Sequence, residues 1–222
     1  MAIAAHPDDL EYGAASAVAR WTSQGKSVSY VLVTSGEAGI DGLRPEECGP
    51  LREGEERAGA ALVGVEHVEF LGYPDGAVEY GVPLRQGIAR AIRRLRPEVV
   101  VTLSFDLTWG DEGPVNHADH RAVGLAVVDA CRDAANRWFA PELGEPWQGI
   151  QHLIVNGAAS PSHFVDVTTS LERGIQSLTA HRAYIEGLGN DFDPANFLTE
   201  SALDAGKAAG CELAVTFRRY AV

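Results

Sequence analysis

Ala2-Ile3-Ala4-Ala5-His6-Pro7-Asp8-Asp9-Leu10-Glu11 is a short apolar run that breaks into a histidine, a proline and two adjacent carboxylates. Gly13 to Gln24 follows, with Ala14, Ala17, Val18 and Trp21 at spacings of three and four and Gly25 at its end, which predicts a helix with one buried stripe. A strand that hands polar residues to a loop before a helix is the opening unit of an open α/β sheet. In such sheets ligands bind in the crevice at the carboxyl ends of the strands. His6 and Asp9 there offer two ligands for a divalent metal, and Asp8 between them is left as a base.

The same unit recurs outward from this stretch. Ser27 to Thr34 reads as a strand ending in the glycine-punctuated loop Ser35 to Gly39, and Pro45 to Gly64 as a helix in which Gly54 and Gly59 each cost about 1 kcal/mol relative to alanine. His67 to Leu71 is a third strand, followed by the turn Gly72 to Gly76. Ile88, Ile92 and Leu95 mark an amphipathic helix over Leu84 to Leu95 that Pro97 stops, and Glu98 to Leu103 is the clearest strand of the chain. A loop, Trp109 to Asn116, then delivers His117-Ala118-Asp119-His120 to the start of a helix through Val123, Ala126, Val127 and Ala130.

Four strand-then-helix units predict an α/β, Rossmann-like fold, a mostly parallel sheet with helices on both faces. Beyond Asn136 the pattern is less regular: strands over Gln151 to Asn156, His163 to Val167 and Glu212 to Tyr220, and a helix over Thr168 to Leu188. We expect a single domain over 1–222, with the active-site core in about 1–125 and a less regular part over about 137–222.

A balance of 18 basic against 31 acidic residues gives a formal charge of −13, which repels a phosphate backbone and argues against nucleic acid as a partner. Cys48, Cys131 and Cys211 form no C-x-x-C pair, so neither a disulfide framework nor a structural zinc site is expected. No basic-then-apolar leader and no apolar run of the roughly 20 residues a membrane span needs is present. A cytoplasmic protein is the expectation, with homo-oligomerisation left open.

His6, Asp9, His117 and His120 all follow predicted strand ends. Two histidines and a carboxylate leave Zn²⁺ an open fourth position, although spacing alone does not choose three ligands from the four. Magnesium suits the set poorly, because it prefers oxygen ligands.

Ala5-His6-Pro7-Asp8-Asp9-x-Glu11 with His117-x-Asp119-His120-Arg121 resembles the LmbE/PIG-L family of zinc-dependent N-acetylglucosaminyl deacetylases. Thr34 to Gly39, Arg52 with Glu55 and Glu56, and Leu71 to Gly76 extend the similarity over roughly the first 125 residues. The resemblance implies that His6, Asp9 and His120 bind zinc and that Asp8 is the general base. It implies that His117 protonates the leaving amine or steadies the oxyanion, that Asp119 orients the His117 ring, and that Arg52 and Asp75 bind substrate.

The implied substrate is a small N-acetylated amino sugar or glycoconjugate. An inactive metal-binding or regulatory module on the same fold is one alternative, and an amidase acting on a thiol conjugate or other acylamino compound is another. Zn²⁺ against Fe²⁺ and the aglycone stay open. Asn116 and Ala118 stand where the family often has prolines, which predicts a looser loop, and Val115 stands where some members carry a tyrosine. Glu11 and Glu37 are candidate partners of the ligands, His181 is undecided, and Trp109 is expected to cover the core.

Overall fold

In the computed structural model, which describes residues 1–110, 113–189 and 191–222, β1 (Ala2–Ala4) pairs in parallel with β2 (Ser29–Leu32), Ile3 opposite Val31. β3 (His67–Phe70) extends the sheet beyond β2, while β4 (Val99–Leu103) and then β5 (His152–Asn156) extend it on the other side of β1. β6 (His163–Asp166) and β7 (Ala214–Tyr220) complete the order β3-β2-β1-β4-β5-β7-β6, with β7 antiparallel to both its neighbours. The order reverses between β1 and β4. Loops leaving those two strands therefore diverge and open a crevice at their carboxyl ends.

Alternation along the strands sends side chains to two cores. Ile3, Val31 and Val100 pack with Leu84, Ile88 and Ile92 of α3 (Val82–Leu95) and with Val123 and Val127 of α4 (Ala118–Ala135). On the opposite face Ala2, Ala4, Tyr30, Leu32 and Val101 meet Val18 of α1 (Ala15–Ser23), Ala60 of α2 (Pro45–Leu62) and Leu178 of α5 (Leu171–Thr179). Helices thus cover both faces, as the sequence predicts. Burying a leucine- or isoleucine-sized side chain such as Ile88, which is fully enclosed, is worth about 1.5–3 kcal/mol.

Gly59 has a packing reason that its helix position hides. A Cβ there would lie 2.9 Å from the Ser177 carbonyl oxygen, so the glycine lets α5 press against α2. The helix predicted over Thr168 to Leu188 is broken at His181 into α5 and α6 (Arg182–Gly187). A further helix, α7 (Pro194–Ala209), lies where no element is predicted. Its signal is local: the Asp193 carboxylate accepts from the backbone N–H of Ala195 and Asn196, and Pro194 fills the first turn. None of these helices is long and apolar enough to cross a membrane.

Candidate active site and metal centre

The loop after β1 and the start of α4 after β4 bring three candidate ligand side chains together. His120 Nε2 lies 3.0 Å from Asp9 Oδ1 and 3.2 Å from His6 Nδ1, and His6 Nδ1 lies 3.5 Å from Asp9 Oδ2. A tetrahedral ion with bonds of about 2.0–2.1 Å needs its ligands roughly 3.3 Å apart, so the set fits zinc.

The surrounding hydrogen bonds choose the tautomers. Asn116 Nδ2 donates to the carbonyls of Ser104 (2.8 Å) and Asp106 (3.1 Å), which leaves its Oδ1 to accept from His120 Nδ1 at 2.9 Å. His120 Nε2 then presents a lone pair. On the other ring, His6 Nε2 meets Asp75 Oδ1 at 3.1 Å and Asp119 Oδ2 at 3.2 Å, so Nδ1 faces the ligand cluster. Burial works to lower the His6 pKa, but Asp9, Asp119 and Asp75 together raise it to about 12. Three carboxylates, Asp9, Asp75 and Asp119, within 3.5 Å of one imidazole give the site a negative potential, which suits a divalent cation.

Asn116 therefore does the opposite of loosening its loop: it is buried and ties both strand-end carbonyls to a ligand histidine. Asn116→Ala is expected to weaken cation affinity about 10–100-fold with the fold intact, a loss that calorimetric titration would read. Asp119, expected behind His117, directs its carboxylate to His6 and to the backbone N–H groups of Gly76 (2.8 Å) and Val78 (3.1 Å). Its backbone N–H donates to His117 Nδ1, 3.2 Å away, and a carboxylate oxygen lies within 4.8 Å of a His117 ring nitrogen.

Asp8 is nearly enclosed and adopts φ 88°, a left-handed conformation that costs a non-glycine residue of order 1–3 kcal/mol. Its neighbours over-determine it. The Glu56 carboxylate accepts the Asp8 N–H at 3.0 Å, Arg52 Nη2 lies 3.1 Å from Asp8 Oδ2, and the same nitrogen donates to the Pro7 carbonyl at 2.6 Å. Arg52 also donates to the Gly36 carbonyl at 3.1 Å and stacks on Tyr184. Burial pushes the Asp8 carboxyl well up, opposed by Arg52. Asp75, besides meeting His6, accepts from the Ala38 N–H at 2.9 Å, while Glu37 holds its backbone N–H. Arg52 and Asp75 thus both line the cavity and brace the loop after β1.

Behind Asp8 lies a fully buried group that sequence reasoning did not assemble. His181 Nε2 sits 3.7 Å from Glu56 Oε2 and 3.8 Å from Glu11 Oε2, and Ser177 Oγ is 3.2 Å from Glu11 Oε1. Burial pushes Glu56 up to about 7 and drops His181 to about 3. Glu56 is accordingly protonated in the fold at low pH, and the stability this gives is lost as pH rises from the unfolded value near 4.5 through about 7. Glu56→Gln should therefore melt higher than wild type by a margin of several degrees at pH 8 that shrinks at pH 5. A margin that grows toward pH 5 would contradict this sign.

His117 caps α4 at the edge of the site, its ring centroid 5.0 Å from that of His6. Burial, above all, lowers its pKa. Because Nδ1 accepts a backbone N–H, the neutral ring carries its proton on Nε2. Val115 is 70% exposed and contributes nothing polar, whereas Tyr12, Tyr184 and Trp109 line a cavity of about 770 Å³ around the ligands. Trp109, expected over the core, packs edge-on against His120 at 5.9 Å.

Residues 1–131 match the family model described as PIG-L, GlcNAc-PI de-N-acetylase. A 1D-myo-inositol 2-acetamido-2-deoxy-alpha-D-glucopyranoside deacetylase of Saccharopolyspora erythraea is 34% identical over 173 residues, 66% of this chain and 61% of that relative. The diacetylchitobiose deacetylase of Thermococcus kodakarensis is 28% identical over 95% of this chain and 78% of its own length. Among solved structures, the N,N'-diacetylchitobiose deacetylase of Pyrococcus horikoshii superposes with a TM-score of 0.88 at 23% identity, over 99% of this chain and 82% of that one, which supports the fold.

Proposed function

The chain belongs to the PIG-L family, and from that premise we propose that it is one catalytic domain over 1–222, a zinc-dependent hydrolase that removes the N-acetyl group of an N-acetylglucosamine-containing small molecule or glycoconjugate. The observation that carries this reading is the convergence of His6, Asp9 and His120, with Asp8 beside them and outside the ligand set. A metal-binding module would need no such carboxylate, held at a strained φ by Glu56 and Arg52.

Zinc in that set supplies Lewis acidity toward the amide carbonyl and lowers the pKa of a water molecule toward 7. Asp8 takes one proton of the attacking water and hands it to the leaving nitrogen as the C–N bond breaks, so acetic acid and a free amine form and the acid then ionises to acetate. His117 donates its Nε2–H to the oxygen on which negative charge develops. Asp75 and Asp119 keep the His6 ring in one orientation, and Asn116 does so for His120. Acetate release from N-acetylated amino sugars by the purified protein tests the reading.

A further inference from the structure

Asn156 ends β5 opposite Leu103, the last residue of β4, so it stands at the same crevice as the metal ligands. It is buried, and it lines the cavity of about 770 Å³. Its neighbour Gly157 meets the Trp109 ring, where a Cβ would lie 2.9 Å from Cζ3, and that ring packs against His120. Asn156 itself meets Gly13, in the turn that follows Asp9: a Cβ at position 13 would lie 1.8 Å from Asn156 Oδ1. A glycine there leaves room for the amide between that turn and β7. The amide's orientation follows from its other contact. The Thr216 carbonyl can only accept, so the atom 3.1 Å from it is Nδ2, and Oδ1 is turned toward Gly13. Among the described residues no N–H or O–H donates to Oδ1. A buried amide oxygen without a donor is costly, and in a cavity wall the donor can come from the ligand.

Resting on the deacetylase reading, we propose that Asn156 is a specificity-determining residue: its Oδ1 accepts a hydrogen bond from one ring hydroxyl of the amino sugar. The acetamide faces the metal ligands and Asp8, so ring hydroxyls are the donors left for the β5 wall. Asp75, on the β3 side, is already committed to His6 and to the Ala38 N–H. A site built to hydrogen-bond a substrate hydroxyl rejects the analogue that lacks it, because its own polar group is then left unpaired. One such loss weakens engagement roughly 5- to 150-fold.

The test is a cycle that changes protein and substrate in turn. For zinc-loaded wild type and Asn156→Ala, kcat/KM is measured with methyl N-acetylglucosaminide and with its 3-, 4- and 6-deoxy analogues at one anomeric configuration. Asn156→Leu, close in shape and without an acceptor, serves if the alanine variant does not fold. Each analogue gives a preference for the parent compound in each protein. For one of the three, the wild-type preference is expected to exceed that of the variant by at least about fivefold, and for the other two the proteins should agree. The analogue that stands out names the hydroxyl. A difference under about fivefold for all three, or an equal loss of preference for all three, would overturn the proposal and leave the deacetylase reading standing. If wild type hydrolyses none of the four compounds, that reading fails. The compounds are then inert ligands, and their calorimetric Kd values close the same cycle and decide the proposal by the same threshold.

Discussion

Replacing Asp8 with asparagine is expected to lower kcat by about 10²–10⁴-fold while leaving KM and the bound cation nearly unchanged. The magnitude is that of a lost general base. The cation stays because the three convergent atoms belong to His6, Asp9 and His120. The backbone stays because asparagine tolerates positive φ better than most residues, so the conformation at 88° persists. The Glu56 carboxylate still accepts the N–H at position 8. Steady-state kinetics with metal analysis of the same preparation checks both halves. A nearly active asparagine variant would assign the base elsewhere, and a metal-free one would place Asp8 among the ligands.

His117→Ala should cost about 10²–10³-fold in kcat, the loss typical of one donor to a developing oxyanion. Two roles remain in contention for this histidine, and the structure favours one. An imidazolium acid needs protons on both ring nitrogens, yet Nδ1 accepts the Asp119 backbone N–H and the pKa is lowered by burial. A neutral donor needs only Nε2–H. Wild-type activity is then lost to His117 only on acidification, as pH falls through a pKa below its ordinary 6.5. The basic limb of the kcat/KM profile belongs to another group and should survive in the alanine variant. His117→Gln, which offers an amide N–H but no acid, should recover part of the loss. Disappearance of the basic limb in the alanine variant would give His117 the proton delivered to the leaving amine instead.

The sequence made some parts of this site legible and hid others for identifiable reasons. His6, Asp9 and His120 lie at the ends of strongly patterned strands, and short-range spacing puts them in one crevice once the parallel order is granted. The braces are long-range. Asn116 reads as an interrupted motif until its amide is seen between the Ser104 carbonyl and His120, and Asp119 reads as the partner of His117 until the loops after β1 and β3 bring His6, Gly76 and Val78 around it. Glu11, Glu56 and His181 come from three distant segments and show no local pattern. In α7 the apolar positions are mostly alanine, and the local cap at Asp193 is its main signal.

The central claim is that a cation held by His6, Asp9 and His120 is required for amide hydrolysis at this site. The direct measurement is acetate release, alongside zinc content, for wild type and His120→Ala as isolated, after chelation and after zinc is restored. We expect about one zinc per wild-type chain, loss of acetate release on chelation with recovery on zinc addition, and a folded His120→Ala protein that neither retains the ion nor recovers. Undiminished acetate release from chelated protein, or a full complement of zinc in His120→Ala, would contradict it.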